Sequence, residues 1–294
     1  MAGTGVDPKW ITDLISTSEE IRSDAIVALG NLADGHAEIQ EEIGQNPLAI
    51  MLLLTQFTTN NPDLLEETVR TLSCLAPNTN NAQQMIAFGI PRLVKELENE
   101  NIETSKYAAL TLAYIAMNHP STTLQMLENG ALITLQNRLA NGFSVRVGAY
   151  PKDHFWHLIA NRQLTTTSHF TEPTPFDEKS FVLGLLFFMK AISHDPETAI
   201  ILSNMRLATG KLALEAFSQT YSPTYHDHTC EQIVYFCNEI TKAAALAKKD
   251  TAGLPILPSS TTVFAREALP LAGSGSTLDS SSSTSSLDSL NHLG

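Results

Sequence analysis

Lys106-Tyr-Ala-Ala-Leu-Thr-Leu-Ala-Tyr-Ile-Ala116 is the stretch on which the fold turns, because versions of it stand twice upstream. Glu66-Glu-Thr-Val-Arg-Thr-Leu-Ser-Cys-Leu-Ala76 and Ser23-Asp-Ala-Ile-Val-Ala-Leu-Gly-Asn-Leu-Ala33 carry the same arrangement. In each, apolar residues recur at helical spacing and an aliphatic residue followed by alanine closes the run. The closing alanines are 43 and 40 residues apart. A period of this size marks stacked supersecondary units, none of which can bury its apolar face alone.

The segments between these runs match as well. Ile39-Gln-Glu-Glu-Ile-Gly44, Met85-Ile-Ala-Phe-Gly89 and Met126-Leu-Glu-Asn-Gly130 are short amphipathic runs ending in glycine. A glycine there suits the left-handed turn at a helix C-terminus. Each leads into a second helix, predicted over Pro47 to Phe57, Ile90 to Leu97 and Ala131 to Leu139, with Ile50, Val94 and Leu135 in equivalent places. Start signals agree with this reading. Ser16 with Glu19 forms a capping-box pattern, and Asp7-Pro8, Asn61-Pro62 and Asp195-Pro196 each set a cap residue before a first-turn proline.

A short helix, a second helix and a longer third, repeated at about 42 residues, resemble the armadillo repeat family. The resemblance is carried by the Ala-x-x-x-Leu-x-x-Leu/Ile-Ala runs and by Gly89-Ile-Pro-Arg-Leu-Val94, and it spans about residues 16 to 139. It implies an all-α, right-handed solenoid of about four to five repeats whose third helices line a concave, protein-binding face. In the family register the groove positions are Ser23, Val27 and Asn31, then Glu66, Arg70 and Cys74, then Lys106, Leu110 and Tyr114. Later repeats add Phe187 and Ala191, then Glu231, Tyr235 and Glu239. Asn31, Glu66, Arg70, Lys106, Tyr114 and Tyr235 are the partner-binding candidates on this ladder. Peptide-binding members carry a recurrent Trp and Asn there; in this chain only Asn31 matches.

The pattern breaks after Leu139. An insertion of about residues 140–175 is rich in aromatics and histidine, with Trp156 as its candidate binding residue. Two readings of it stay open: contact with a partner, as long segments in compact solenoids often provide, or a fold-back that covers the groove or the convex side. Helices resume over Phe181 to Ser193, Glu197 to Ser203, Leu207 to Phe217 and Cys230 to Ala245. The repeat domain is therefore expected over about 7–247. The Ser-rich remainder, 248–294, is expected to be disordered, because it cannot bury enough apolar surface to offset chain entropy.

Composition narrows the function. The net charge is −13, with 18 Lys and Arg against 31 Asp and Glu. Nucleic-acid affinity comes from basic side chains displacing counterions, so a nucleic-acid partner is not expected. No membrane span is expected either, since the greasiest run, Phe181 to Met189, is about half the needed length. Three cysteines do not read as a disulfide framework, and a cytoplasmic protein follows. His226-Asp-His-Thr-Cys230 has ligand-type residues, but a helix start capped by Asp227 accounts for them, so no metal, cofactor or catalytic residue is assigned. The leading reading is a non-enzymatic adaptor or scaffold for a protein partner. Two alternatives are a chaperone cofactor of the nucleotide-exchange type, and a secreted bacterial effector with a C-terminal export signal that acts in the host cytosol.

Overall fold

The computed structural model describes residues 5–141, 175–207, 210–221 and 228–251. The chain divides into two units, Met1–Ala252 and Gly253–Gly294, and every described residue belongs to the first. The insertion's Trp156, the cap assigned to Asp227 and the Ser-rich segment from 252 on lie outside the described residues, whereas Lys248 to Thr251, expected to be disordered with that segment, are helical.

Thirteen α-helices form the described part. An opening pair, α1 (Pro8–Asp13) and α2 (Glu19–Ala33), precedes four repeats. These are α3 (Ala37–Gln45), α4 (Ala49–Thr55) and α5 (Pro62–Leu75); then α6 (Thr79–Glu96) and α7 (Ile102–Asn118); then α8 (Thr123–Glu128), α9 (Ala131–Asn141) and α10 (Pro175–Ile192). The last is α11 (Pro196–Asn204), α12 (Ala213–Thr220) and α13 (His228–Thr251). Among the described residues no strand forms beyond an isolated bridge between Arg206 and Leu212. No helix among them is long and apolar enough to cross a membrane.

The third helices α2, α5, α7, α10 and α13 pack side by side in chain order. The closing alanines explain how they come so near. Ala33, Ala76 and Ala116 are all buried, along with Leu29, Leu72 and Leu112 one turn earlier. Small residues let backbones approach, and the leucines fill the space between repeats as one continuous core.

Short helices expose terminal carbonyls that need donors. Side-chain amides of the next repeat donate to such carbonyls and to others within the helices. Asn81 donates from Nδ2 to the Gln40 carbonyl at 2.8 Å, Gln84 to that of Gly44 at 2.9 Å, and Asn118 to that of Ala76 at 3.1 Å. Thr71 adds a bond from Oγ1 to the Ile26 carbonyl at 2.9 Å.

The proline-marked caps form as read. Asp7 accepts from the Lys9 amide, Asn61 from those of Asp63 and Leu64, and Asp195 from that of Thr198. The start of α2 differs. Ser18 is the N-cap, accepting from the Ile21 amide, while Ser16 Oγ accepts from the Ser18 amide. Glu19 is then the first helical residue and lies too near the cap to close a box. Its charge instead complements the helix N-terminus.

The glycines divide by role. Gly130, with φ of 86°, closes α8 in the left-handed conformation as expected. Gly44 and Gly89 lie inside helices α3 and α6. Gly44 is required instead by contact, because a Cβ there would stand 1.7 Å from Asn81 Oδ1. In the second repeat the two predicted short helices are a single one, α6, that runs straight through Gly89 and Pro91. A mid-helix proline forfeits a hydrogen bond, but Ile90 and Leu93 on either side of Pro91 are fully buried, and their burial holds the turn helical.

The helix expected over Leu207 to Phe217 is shorter. Leu207 N donates to the Lys211 carbonyl at 2.9 Å and the chain reverses through Gly210, so α12 begins only at Ala213.

Candidate binding surface

Along each third helix, two faces meet two different environments. Leu72 and Leu112 point into the core, whereas Glu66, Arg70 and Cys74 on α5 and Lys106, Leu110 and Tyr114 on α7 are half-buried. Ser23 and Val27 on α2, Phe187 and Ala191 on α10 and Glu239 on α13 are half-buried too, while Asn31, Glu231 and Tyr235 are exposed. The spacing of i, i+4 and i+8 puts each set on one helix face. The same face repeats across five neighbouring helices.

Two groups of these side chains touch. In the first half, Arg70 donates from Nη2 to Asn31 Oδ1 at 3.0 Å and from Nε to Glu67 Oε2 at 2.8 Å, which links α2 to α5. Glu66 accepts from Asn101 Nδ2 at 2.6 Å. Lys106 bonds Glu103 and holds its ammonium 4.4 Å from the centre of the Tyr107 ring. Burial, followed by repulsion from Glu103, Glu67 and Asp63, raises the Glu66 carboxyl above the usual range against the opposing Asn101 bond.

In the second half, four rings form a chain across three helices. Tyr114 meets Phe187 edge-on, with centroids 5.4 Å apart at 72°. Phe187 lies 5.7 Å from Phe236, and Phe236 lies 5.5 Å from Tyr235. Tyr235 is 56% exposed. The phenol hydroxyls of Tyr114 and Tyr235 have no hydrogen-bond partner among the described residues.

Sequence reasoning missed Phe236, which joins Tyr235 to the other rings. It stands one residue off the i, i+4 register, so no spacing signal could have flagged it. Tyr107 was missed for the same reason, whereas Glu67 stands three residues before Arg70, a spacing that marks a helical ion pair. Trp156 lies outside the described residues.

A cleft of about 810 Å³ opens beside the face, at the turns leading into α5 and α7, lined by polar residues including Asn61, Glu98 and Asn101. Asn61 and Asn101 are occupied as helix caps. Among the described residues no group of three or more His, Cys, Asp and Glu converges on a metal position.

The cysteines are free thiols. Burial pushes Cys237 up to about 12 from an ordinary 9.0. The folded thiol therefore stays protonated where the unfolded one ionises, so its contribution to stability is complete below about pH 9 and is lost as pH rises toward 12. Two results should follow. Melting temperature should fall more between pH 8 and 10.5 in the wild type than in Cys237→Ala, and Cys237 should react with a disulfide reagent at pH 8 far more slowly than Cys74.

No protein-family model matches the chain, and no curated protein matches it in sequence. Solved structures do match in fold. A crystal structure of an engineered protein is 17% identical, with a TM-score of 0.55 over 81% of this chain and 78% of its own. A computationally designed armadillo repeat protein for modular peptide recognition is 19% identical, with a TM-score of 0.53 over 80% of each chain. At such identity the likeness establishes the fold, an armadillo-like α-solenoid.

Proposed function

We propose that this armadillo-like solenoid is a non-enzymatic, cytoplasmic adaptor that holds an extended segment of a partner protein on the third-helix face. The observation that carries the reading is the repeated row of half-exposed side chains on α2, α5, α7, α10 and α13. A row of this kind offers the same register of contacts every repeat, which matches the periodic backbone of an extended chain. The work done is recognition by shape and charge on a rigid surface, with no covalent step. Asn31, Glu66, Arg70, Lys106, Tyr114 and Tyr235 are the contact residues. Trp156 is a further candidate on the same reading. The designed relative made for modular peptide recognition supports it by analogy of fold. The net charge of −13 supports neutral or basic protein partners over nucleic acid.

The test is a selection of displayed random dodecapeptides on the immobilised full chain, followed by titration of the enriched peptide against variants. Arg70→Ala or Tyr114→Ala is expected to weaken it at least tenfold, because Arg and Tyr are frequent hot-spot residues. Phe88→Ser, at a position 68% exposed on α6, is expected to leave affinity unchanged. A peptide that ignores Arg70 and Tyr114 and depends on Phe88 would place binding elsewhere and end the reading.

A further inference from the structure

The third-helix face is chemically divided, and the division says what a bound segment must carry. On its first half both cations are committed. Arg70 is held by Glu67 and Asn31, and Lys106 by Glu103. Glu66 remains, with only the neutral Asn101 amide bonded to it; Asp63 and the already paired Glu67 and Glu103 surround it with negative charge, and Arg70 one turn on is held by Glu67 and Asn31. A cation placed there relieves a repulsion already present, and an anion adds to it. On the second half the surface is aromatic, built from Tyr114, Phe187, Phe236 and the protruding Tyr235. Glu231 and Glu239 stand one turn to either side of Tyr235, the first 3.9 Å from His228 and the second 3.8 Å from Lys242. Lys179 and Lys190 on α10 are further cations of this half. An aromatic surface with two free phenol hydroxyls takes an apolar side chain among its rings and offers donors to the adjoining backbone carbonyls.

We infer that the face binds an extended segment bearing a basic residue and an aromatic or long aliphatic residue about seven positions apart, the first at Glu66 and the second among Tyr114, Phe187 and Phe236. The inference rests on the adaptor reading and sharpens it by fixing the chemistry of the partner. The spacing follows from helix geometry. Glu66 lies on α5 and the rings begin on α7 and α10, so the segment crosses about two interaxial distances of ~10 Å. The Glu66 counterpart on α7 is Lys106, and from there to Tyr114 the rise is about 12 Å at ~1.5 Å per residue. The diagonal is about 23 Å, which seven extended residues span at ~3.3 Å each.

The composition of the enriched dodecapeptides tests this directly. Peptides selected on the full wild-type chain are expected to carry Lys or Arg six to eight positions from Phe, Tyr, Trp or Leu. Exchanging that basic residue for Glu, or the apolar one for Ser, is expected to weaken the consensus peptide at least tenfold. Glu66→Gln should remove the preference for Lys over Glu at that position. Glu66→Lys should reverse it, which a merely structural role for Glu66 does not produce. Tyr235→Ser and Phe236→Ser should weaken the Lys peptide and the Glu-exchanged peptide alike. Enrichment of acidic or purely basic peptides, or binding with no sign preference at Glu66, would overturn the inference. If those peptides still depended on Arg70 and Tyr114, the adaptor reading would survive. Failure of any peptide to enrich on the wild-type chain counts against both.

Discussion

Replacing Leu72 or Leu112 by alanine is expected to cost about 2–5 kcal/mol of stability, while Arg70→Ala and Tyr114→Ala cost about 1 kcal/mol each. All four residues sit on α5 and α7, each compared pair two positions apart, so the contrast isolates which way each side chain points. Leu72 and Leu112 are fully buried in the joint between repeats. Truncation removes transfer free energy and leaves a cavity that the flanking helices can close only in part. In a solenoid that loss falls on the interfaces that couple neighbouring repeats. Arg70 instead loses two side-chain bonds on a partly exposed face, its side chain 18% and that of Glu67 32% accessible, where solvent partly screens the pair. Tyr114 loses one edge-on ring contact with Phe187. Urea unfolding followed by far-ultraviolet circular dichroism measures all four. If Tyr114→Ala matched Leu112→Ala, Tyr114 would be a core residue and unavailable to a partner.

Gly44→Ala is expected to destabilise the protein by about 2–4 kcal/mol, against the sign that helix propensity alone gives. Inside a helix, alanine is favoured over glycine by about 1 kcal/mol. Here the new Cβ would stand 1.7 Å from Asn81 Oδ1 and 2.8 Å from its Cγ. Asn81 is fully buried and donates to the Gln40 carbonyl at 2.8 Å and the Leu75 carbonyl at 3.2 Å. Expelling the amide breaks two buried hydrogen bonds, at about 0.5–1.5 kcal/mol each, and overpacking adds to that. Asn81→Ala removes the obstacle, so the double variant Gly44→Ala with Asn81→Ala should be more stable than the two single losses added together. A higher melting temperature for Gly44→Ala alone would show that the α3–α6 joint is loose.

Gly44 also marks where reading the chain in one dimension stops. As the last residue of an amphipathic run it resembles Gly130, and both look like helix terminators. Only Gly130 takes a positive φ. The difference is made by Asn81, which lies in the next repeat and carries no local signal at Gly44. Phe236 is the parallel case on the candidate face. Tyr114, Phe187 and Tyr235 stand at ladder positions, but the ring that joins Phe187 to Tyr235 lies off register and is known only from its contacts.

The sequence by itself determined what depends on neighbours within a turn or two. The three Ala-closed runs, the caps Asn61 and Asp195 before their prolines, and the apolar stripes specify helices of set length and set faces. A period near 42 then requires those faces to stack. The tertiary structure alone decided what depends on surfaces brought together from neighbouring repeats. It kept α6 helical through Pro91 because Ile90 and Leu93 are buried, and it made Gly44 a contact glycine because Asn81 needs its space. It joined Arg70 to Asn31 and gave Glu66 only the Asn101 amide, and it drew four rings from three helices into one chain. The physical reason is the same in each case: backbone preferences of about 1 kcal/mol per residue are outweighed when burial or a buried hydrogen bond across a repeat joint contributes more.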